Sequence, residues 1–115
     1  MRDINERLID IQEAISDITK YTSQGRKRFD EDELVRGWVR LQLITIGESV
    51  RAIPQDFKDQ HPEIPWAQIN RMRNILIHIY FGVDYDVIWL VVEDDLPVLK
   101  AAVETILNKE ESHDQ

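Results

Sequence analysis

The stretch RMRNILIHIY, residues 71–80, decides how the chain is read. It threads two arginines, an amide, a histidine and a tyrosine through Met, Ile and Leu. On a helix, positions seven apart return to nearly the same direction, two turns on. Arg71 and His78 then share a face, with Asn74, four before His78, between them. Arg73 and Tyr80 form an adjoining stripe. Ile75, Leu76 and Ile79 are left to serve a core. The segment therefore reads as one helix with an apolar side and a polar ridge of Arg, Asn, His and Tyr.

Its surroundings read as helix too. Upstream, Trp66, Ile69 and Met72 continue the apolar side, and Pro65 suits a first turn, where no backbone N–H is needed. Near the start, Ile4, Leu8, Ile11, Ile15 and Ile18 recur at alternating steps of four and three, one stripe over about Asp3 to Tyr21, with Asp10, Glu13 and Asp17 turned outward. TSQGRKRF breaks that pattern at Gly25. A second helix is expected from Asp30 as N-cap, with Glu33 completing a capping box. It runs through Leu34, Trp38, Leu41, Ile44 and Val50 and stops before Pro54. Gly37 and Gly47 fall inside it, each costing about 1 kcal/mol relative to Ala. Close approach of a neighbouring helix is the expected compensation. PQDFKDQHPEIP reads as a proline-bounded loop. The last helix spans VDYDVIWLVVEDDLPVLKAAVETILNK, with a kink or break expected near Asp95 and Leu96, ahead of Pro97. In that helix Trp89, Val92 and Leu99 suit either the core or a subunit contact. The pattern predicts an all-α fold, an antiparallel four-helix bundle. Residues 1–109 form one domain and 110–115 a flexible tail.

Composition narrows the function. The 115 residues carry a formal net charge of -8, which disfavours generic nucleic-acid binding. The basic groups gather in the middle, however: residues 20–80 hold 10 basic and 8 acidic side chains, whereas residues 81–115 hold 2 and 9. Arg26, Lys27, Arg28, Arg36, Arg40, Arg51, Arg71 and Arg73 could make a local phosphate site on an acidic body. An ordinary solvated surface is the plainer account of them. The cysteine count is 0, which fits a reducing cytoplasm and excludes a thiolate metal site. The charged start and the short longest apolar run, VIWLVV, point to a soluble, unexported protein with no membrane association. His61, His78 and His113 are scattered, without metal-ligand spacing, so no metal and no cofactor are expected.

The ridge residues suit RNA transesterification. Imidazole titrates near neutrality, so His78 could take a 2′-hydroxyl proton. A guanidinium binds phosphate oxygens and stabilises charge that develops in a transition state, a role for Arg73. Acid–base cleavage is best served by two proton-transfer groups. A symmetric dimer would supply a second His78 and a second Arg73. Against this, a lone histidine on a half-buried helix is most often structural, and Arg71 and Arg73 could simply pair with the acidic last helix.

The segment RNILIHIY resembles the R-x4-H-x-Y signature of the HEPN superfamily, with Arg73, His78 and Tyr80 in the signature places and Asn74 as the polar residue after the arginine. RLQLITIGESV, IPW, MRNILIH, YFGVDYDVIW and DLPVLK are similar to the HepT-like branch, from about Arg40 to Lys100. The resemblance implies a helical homodimer whose two motifs meet in a cleft. It implies the toxin of a toxin–antitoxin pair, made beside a minimal nucleotidyltransferase antitoxin called MntA, and a metal-independent endoribonuclease. Carried over, Arg73 and His78 would be catalytic, Asn74 and Arg71 supporting, and Tyr80 the acceptor of AMP. Asn70 stands where the family is expected to carry glycine, and Ile79 where relatives often carry a polar group. The alternative is a non-catalytic HEPN module that binds nucleotide or protein and partners a nucleotidyltransferase.

Overall fold

Asp3 opens the first helix, its carboxylate accepting the Glu6 backbone N–H at 2.8 Å. In the computed structural model, which describes residues 3–78 and 85–113, α1 covers Ile4–Thr22. Side chains are described as far as residue 74 in the decapeptide helix and residue 109 in the last helix. The predicted stripe is the buried one: Leu8, Ile11, Ile15 and Ile18 are all in the core, with Ile4 packed at its edge. After Thr22 the chain turns through Gly25, whose φ of 99° is a conformation glycine adopts without Cβ strain.

The segment after Gly25 departs from expectation. Arg26–Glu31 forms a short helix, α2, which buries Phe29 against Trp89 at a centroid distance of 5.2 Å. Asp30 lies inside α2 and does not cap the next helix. The N-cap is Asp32, which accepts from Leu34 N at 3.0 Å and Val35 N at 3.2 Å. The run of acids at 30–33 offers several candidate caps. The extended backbone at Asp32, φ -114° and ψ 101°, selects this one.

α3, Glu33–Ala52, buries Val35, Val39, Leu43, Ile46 and Val50. The expected stripe of Leu34, Trp38 and Leu41 is instead exposed. The helix carries two interleaved apolar stripes, and the neighbours choose between them. The presumed loop after Pro54 holds another short helix, α4, Gln55–Gln60. Pro54 ends one helix yet accepts from Lys58 N at 3.2 Å as the next begins. Pro65 likewise stands just before α5, Trp66–His78, and accepts from Ile69 N at 3.1 Å.

The last helical stretch has three parts. α6, Tyr85–Leu90, passes into a π-helical turn, Val91–Asp95, and then into α7, Leu96–His113. The disturbance expected ahead of Pro97 is this π turn. Proline has no N–H to return to the preceding turn, and the backbone widens there: the Leu96 N–H reaches back to the Val91 carbonyl. α7 runs on into the residues read as a tail. Trp89 and Leu99 are buried within the chain.

α3 packs on α1 and on α5, α1 also packs on α7, and α2 lies against α1 and α3. The architecture is all-helical, with no strand among the described residues. No described helix is long and apolar enough to cross a membrane.

Candidate active site

The site forms where α5 crosses α3 at Gly47. A Cβ built on Gly47 would lie 2.4 Å from Arg73 Cβ and 2.7 Å from its Cγ. Glycine is therefore required for this approach, as its helix position suggested. Gly37 is different: a Cβ there meets nothing within 4 Å, so no close neighbour explains it.

The close approach lays the stem of Arg73 across α3 and brings its head to Glu48. Arg73 is 8% exposed. Its Nε and Nη2 donate to Glu48 Oε1 at 2.9 and 2.5 Å, and its Nη1 donates to Asn74 Oδ1 at 2.9 Å. A guanidinium has five N–H groups. Three are engaged by described residues; the other two, one on each Nη, have no partner among the described residues. Glu48 and Asn74 thus fix the plane of the head. The Glu48 side chain is 52% exposed, so the pair is wet on one side.

Arg73 and Asn74 line a cleft of about 710 Å³ together with Arg51, Gln55, Lys58, Trp66, Ala67 and Asn70. Trp66, Asn70 and Arg73 fall at i, i+4 and i+7, one face of α5. Arg51 comes from the last turn of α3 and Lys58 from the last turn of α4. Desolvation pulls the Lys58 ammonium below its ordinary pKa. The Trp66 indole N–H donates to the His61 carbonyl at 2.9 Å, which pins the ring. No carboxylate lines this cleft among the described residues.

The residues expected from the sequence are distributed as follows. Arg73 and Asn74 stand together in the cleft. Arg71 is exposed and turns to a neighbouring depression, beside Trp66, Lys58 and Gln68. The helix that carries Arg73 reaches the backbone of His78, whose side chain falls outside the description, and Tyr80 lies outside the described residues. Glu48, Lys58 and Trp66 were not anticipated as site residues. Gly47 was the only local signal for Glu48. Among the described residues, no group of three or more His, Cys, Asp or Glu is placed to hold a metal ion.

Comparison with known proteins is consistent across several relatives. The family model described as "Ribonuclease HepT-like" matches residues 11–106. A Thermococcus cleftensis protein named "Probable ribonuclease HepT" is 43% identical over 106 residues, which is 91% of this chain and 96% of the relative. A Methanocaldococcus jannaschii protein named "Putative RNase MJ1380" is 38% identical over 106 residues, 91% of this chain and 97% of the relative. No solved structure matches the chain.

Proposed function

The chain belongs to the ribonuclease HepT-like family, and from that premise we propose that it is a metal-independent endoribonuclease of the cytoplasm, acting as a homodimer and as the toxin of a toxin–antitoxin pair. The observation that carries the reading is Arg73: a nearly buried guanidinium, held in plane by Glu48 and Asn74, at the edge of a cationic cleft, with two N–H groups that no described residue engages.

In this reading His78, five residues on along the same helix, takes the proton of an RNA 2′-hydroxyl. The 2′-oxygen attacks the adjacent phosphorus. Arg73 stabilises the charge that gathers on the phosphorane oxygens. The bond from phosphorus to the 5′-oxygen of the next nucleotide breaks, and that oxygen takes a proton from the second copy of the motif in the dimer. The products are a 2′,3′-cyclic phosphate and a 5′-hydroxyl. Asn74 supports by holding Arg73, and Arg71 by adding positive charge on the flank.

Control falls to a minimal nucleotidyltransferase antitoxin. The Tyr80 hydroxyl attacks the α-phosphorus of ATP, and pyrophosphate leaves. Each AMP group puts a bulky phosphodiester and a negative charge beside Arg73 and His78, where it competes with RNA phosphate.

The test is growth arrest and RNA end chemistry for Arg73→Ala and His78→Ala. Both should lose toxicity and cyclic-phosphate ends while remaining folded dimers. Full toxicity in either would sink the catalytic assignment. Intact mass with and without the co-produced nucleotidyltransferase tests the modification, which should add AMP groups at Tyr80 only with the partner.

One observation favours a second reading, a non-catalytic module that binds nucleotide. The Glu48 carboxylate already sits on Arg73 and neutralises it. Tight binding without cleaved ends would support this alternative.

A further inference from the structure

Beyond Arg73 and Asn74, the cleft holds groups that the transesterification does not use. Arg51 and Lys58 project into it from the ends of two different helices. Basic residues in a last turn commonly complement the helix dipole. Here, however, two such residues from separate helices converge on one hollow, and neither has a carboxylate partner among the described residues. In a chain of net charge -8 that convergence calls for an anion.

The other lining groups suit the rest of a nucleotide. Trp66 spends its N–H on the His61 carbonyl, so the ring has no donor to offer a ligand. What it presents to the cleft is apolar aromatic surface, held in place by that hydrogen bond and by its packing against the core. Asn70, one turn on, is exposed, and its side-chain amide makes no hydrogen bond to any described residue, so that amide is left for a ligand. Trp66 and Arg73 are seven residues apart on α5, roughly 10 Å along its axis. An aromatic face, two uncommitted cations and an amide thus lie on one side of the reacting arginine.

We propose that this hollow is a seat for one unstacked nucleotide of single-stranded RNA next to the scissile phosphate, its base on Trp66, its flanking phosphates on Arg51 and Lys58, and its base edge within reach of Asn70. The proposal rests on the ribonuclease reading and adds the form of the substrate. A base held in a duplex cannot lie on Trp66, so the seat selects unpaired segments. Asn70 and its amide reading of the base edge then bear on sequence preference.

The test uses the full-length protein and a short oligoribonucleotide with 2′-O-methyl groups throughout, which binds but cannot be cut. Binding is measured for the single strand, for the same sequence as a duplex, and for free AMP. The variants are Arg51→Gln, Lys58→Gln, Trp66→Leu and Trp66→Phe, each checked by thermal melting. Arg51→Gln and Lys58→Gln should each weaken single-strand binding and lower the slope of log K against log salt by roughly 0.7 per lost phosphate contact. Trp66→Leu should weaken it by about tenfold, and Trp66→Phe should restore most of the loss. Parent-like affinity and slope in both cation variants would overturn the seat. Cleavage of unmodified RNA, abolished by Arg73→Ala, would in that case leave the ribonuclease reading standing. Equal binding of duplex, or Trp66-dependent binding of AMP without the single strand, would also overturn it. A parent protein that neither binds nor cuts RNA would take down both.

Discussion

Replacing Gly47 by alanine adds one methyl group at the closest approach of α3 and α5. That methyl would stand 2.4, 2.7 and 2.9 Å from Arg73 Cβ, Cγ and Cδ. The first of these atoms is fixed to the backbone and cannot swing aside. The two helices must part by a large fraction of an ångström, or Arg73 must leave its place. Overpacking of this kind costs roughly 1–3 kcal/mol, and the contact geometry puts it at the upper end. The better helix propensity of alanine returns about 1 kcal/mol. The net expectation is a loss of about 2 kcal/mol, or on the order of 8 °C in Tm for a chain of this size. Gly37→Ala is the internal control. It lies in the same helix, with nothing within 4 Å of its added Cβ, so only the propensity gain of about 1 kcal/mol operates. The same substitution should thus have opposite signs ten residues apart. Urea unfolding with a common m-value, supported by thermal melts, measures both. If Gly47→Ala stabilised the protein as much as Gly37→Ala, the inferred contact between α3 and Arg73 would be wrong.

Three further outcomes follow from the same geometry. Asp32→Ala should cost about 1 kcal/mol in urea melts, because two backbone N–H groups lose their cap, whereas Asp30→Ala should cost far less. Glu48→Ala should cost about 1–3 kcal/mol by leaving part of the nearly buried Arg73 head unpartnered, and Glu48→Gln should recover most of it; equal losses would mean that charge, not hydrogen bonding, holds the pair. Desolvation and the neighbouring Asp94 raise the pKa of Asp95, against the lowering effect of the Gln68 hydrogen bond at 2.9 Å. The folded state then binds this proton more readily than the unfolded chain, so stability falls as pH rises from about 4 through the raised value. Asp95→Asn should therefore be the more stable form at neutral pH, and the gap should close below about pH 4 in melts at a series of pH values.

Where residues shared a local rule with their neighbours, the sequence was legible. The α1 stripe and the glycine at the helix crossing follow from spacing and propensity, and both stand as read. Asn74 was legible as a neighbour of Arg73 only through the family resemblance; helix spacing alone sets it between Arg71 and His78, and its bond to the Arg73 head depends on how the two side chains bend. The face of α3 was not. Leu34, Trp38 and Leu41 keep the same period as Val35, Val39, Leu43 and Ile46, and only the positions of α1 and α5 decide which set is buried. Glu48 was hidden for a related reason. Its partner lies 25 residues away, and nothing local to a glutamate on a polar face announces an arginine across a helix crossing. The short helices α2 and α4 were missed because each is a single six-residue stretch beside a glycine or a proline, where breaking signals outweigh helix-forming ones.

The cationic cleft has a kinetic consequence. It is set in a body whose formal net charge is -8. On the proposed reading, the net negative charge of the body opposes a polyanion at a distance, and the hollow is where its capture would be decided. Association is then decided by a single small target, and its rate should depend steeply on ionic strength. Departure is eased by the same field. If the chain cuts RNA as proposed, each fragment would keep fewer phosphates on the cations while the net negative charge of the body still pushes outward. Such a catalyst would trade speed of capture for freedom from its own product.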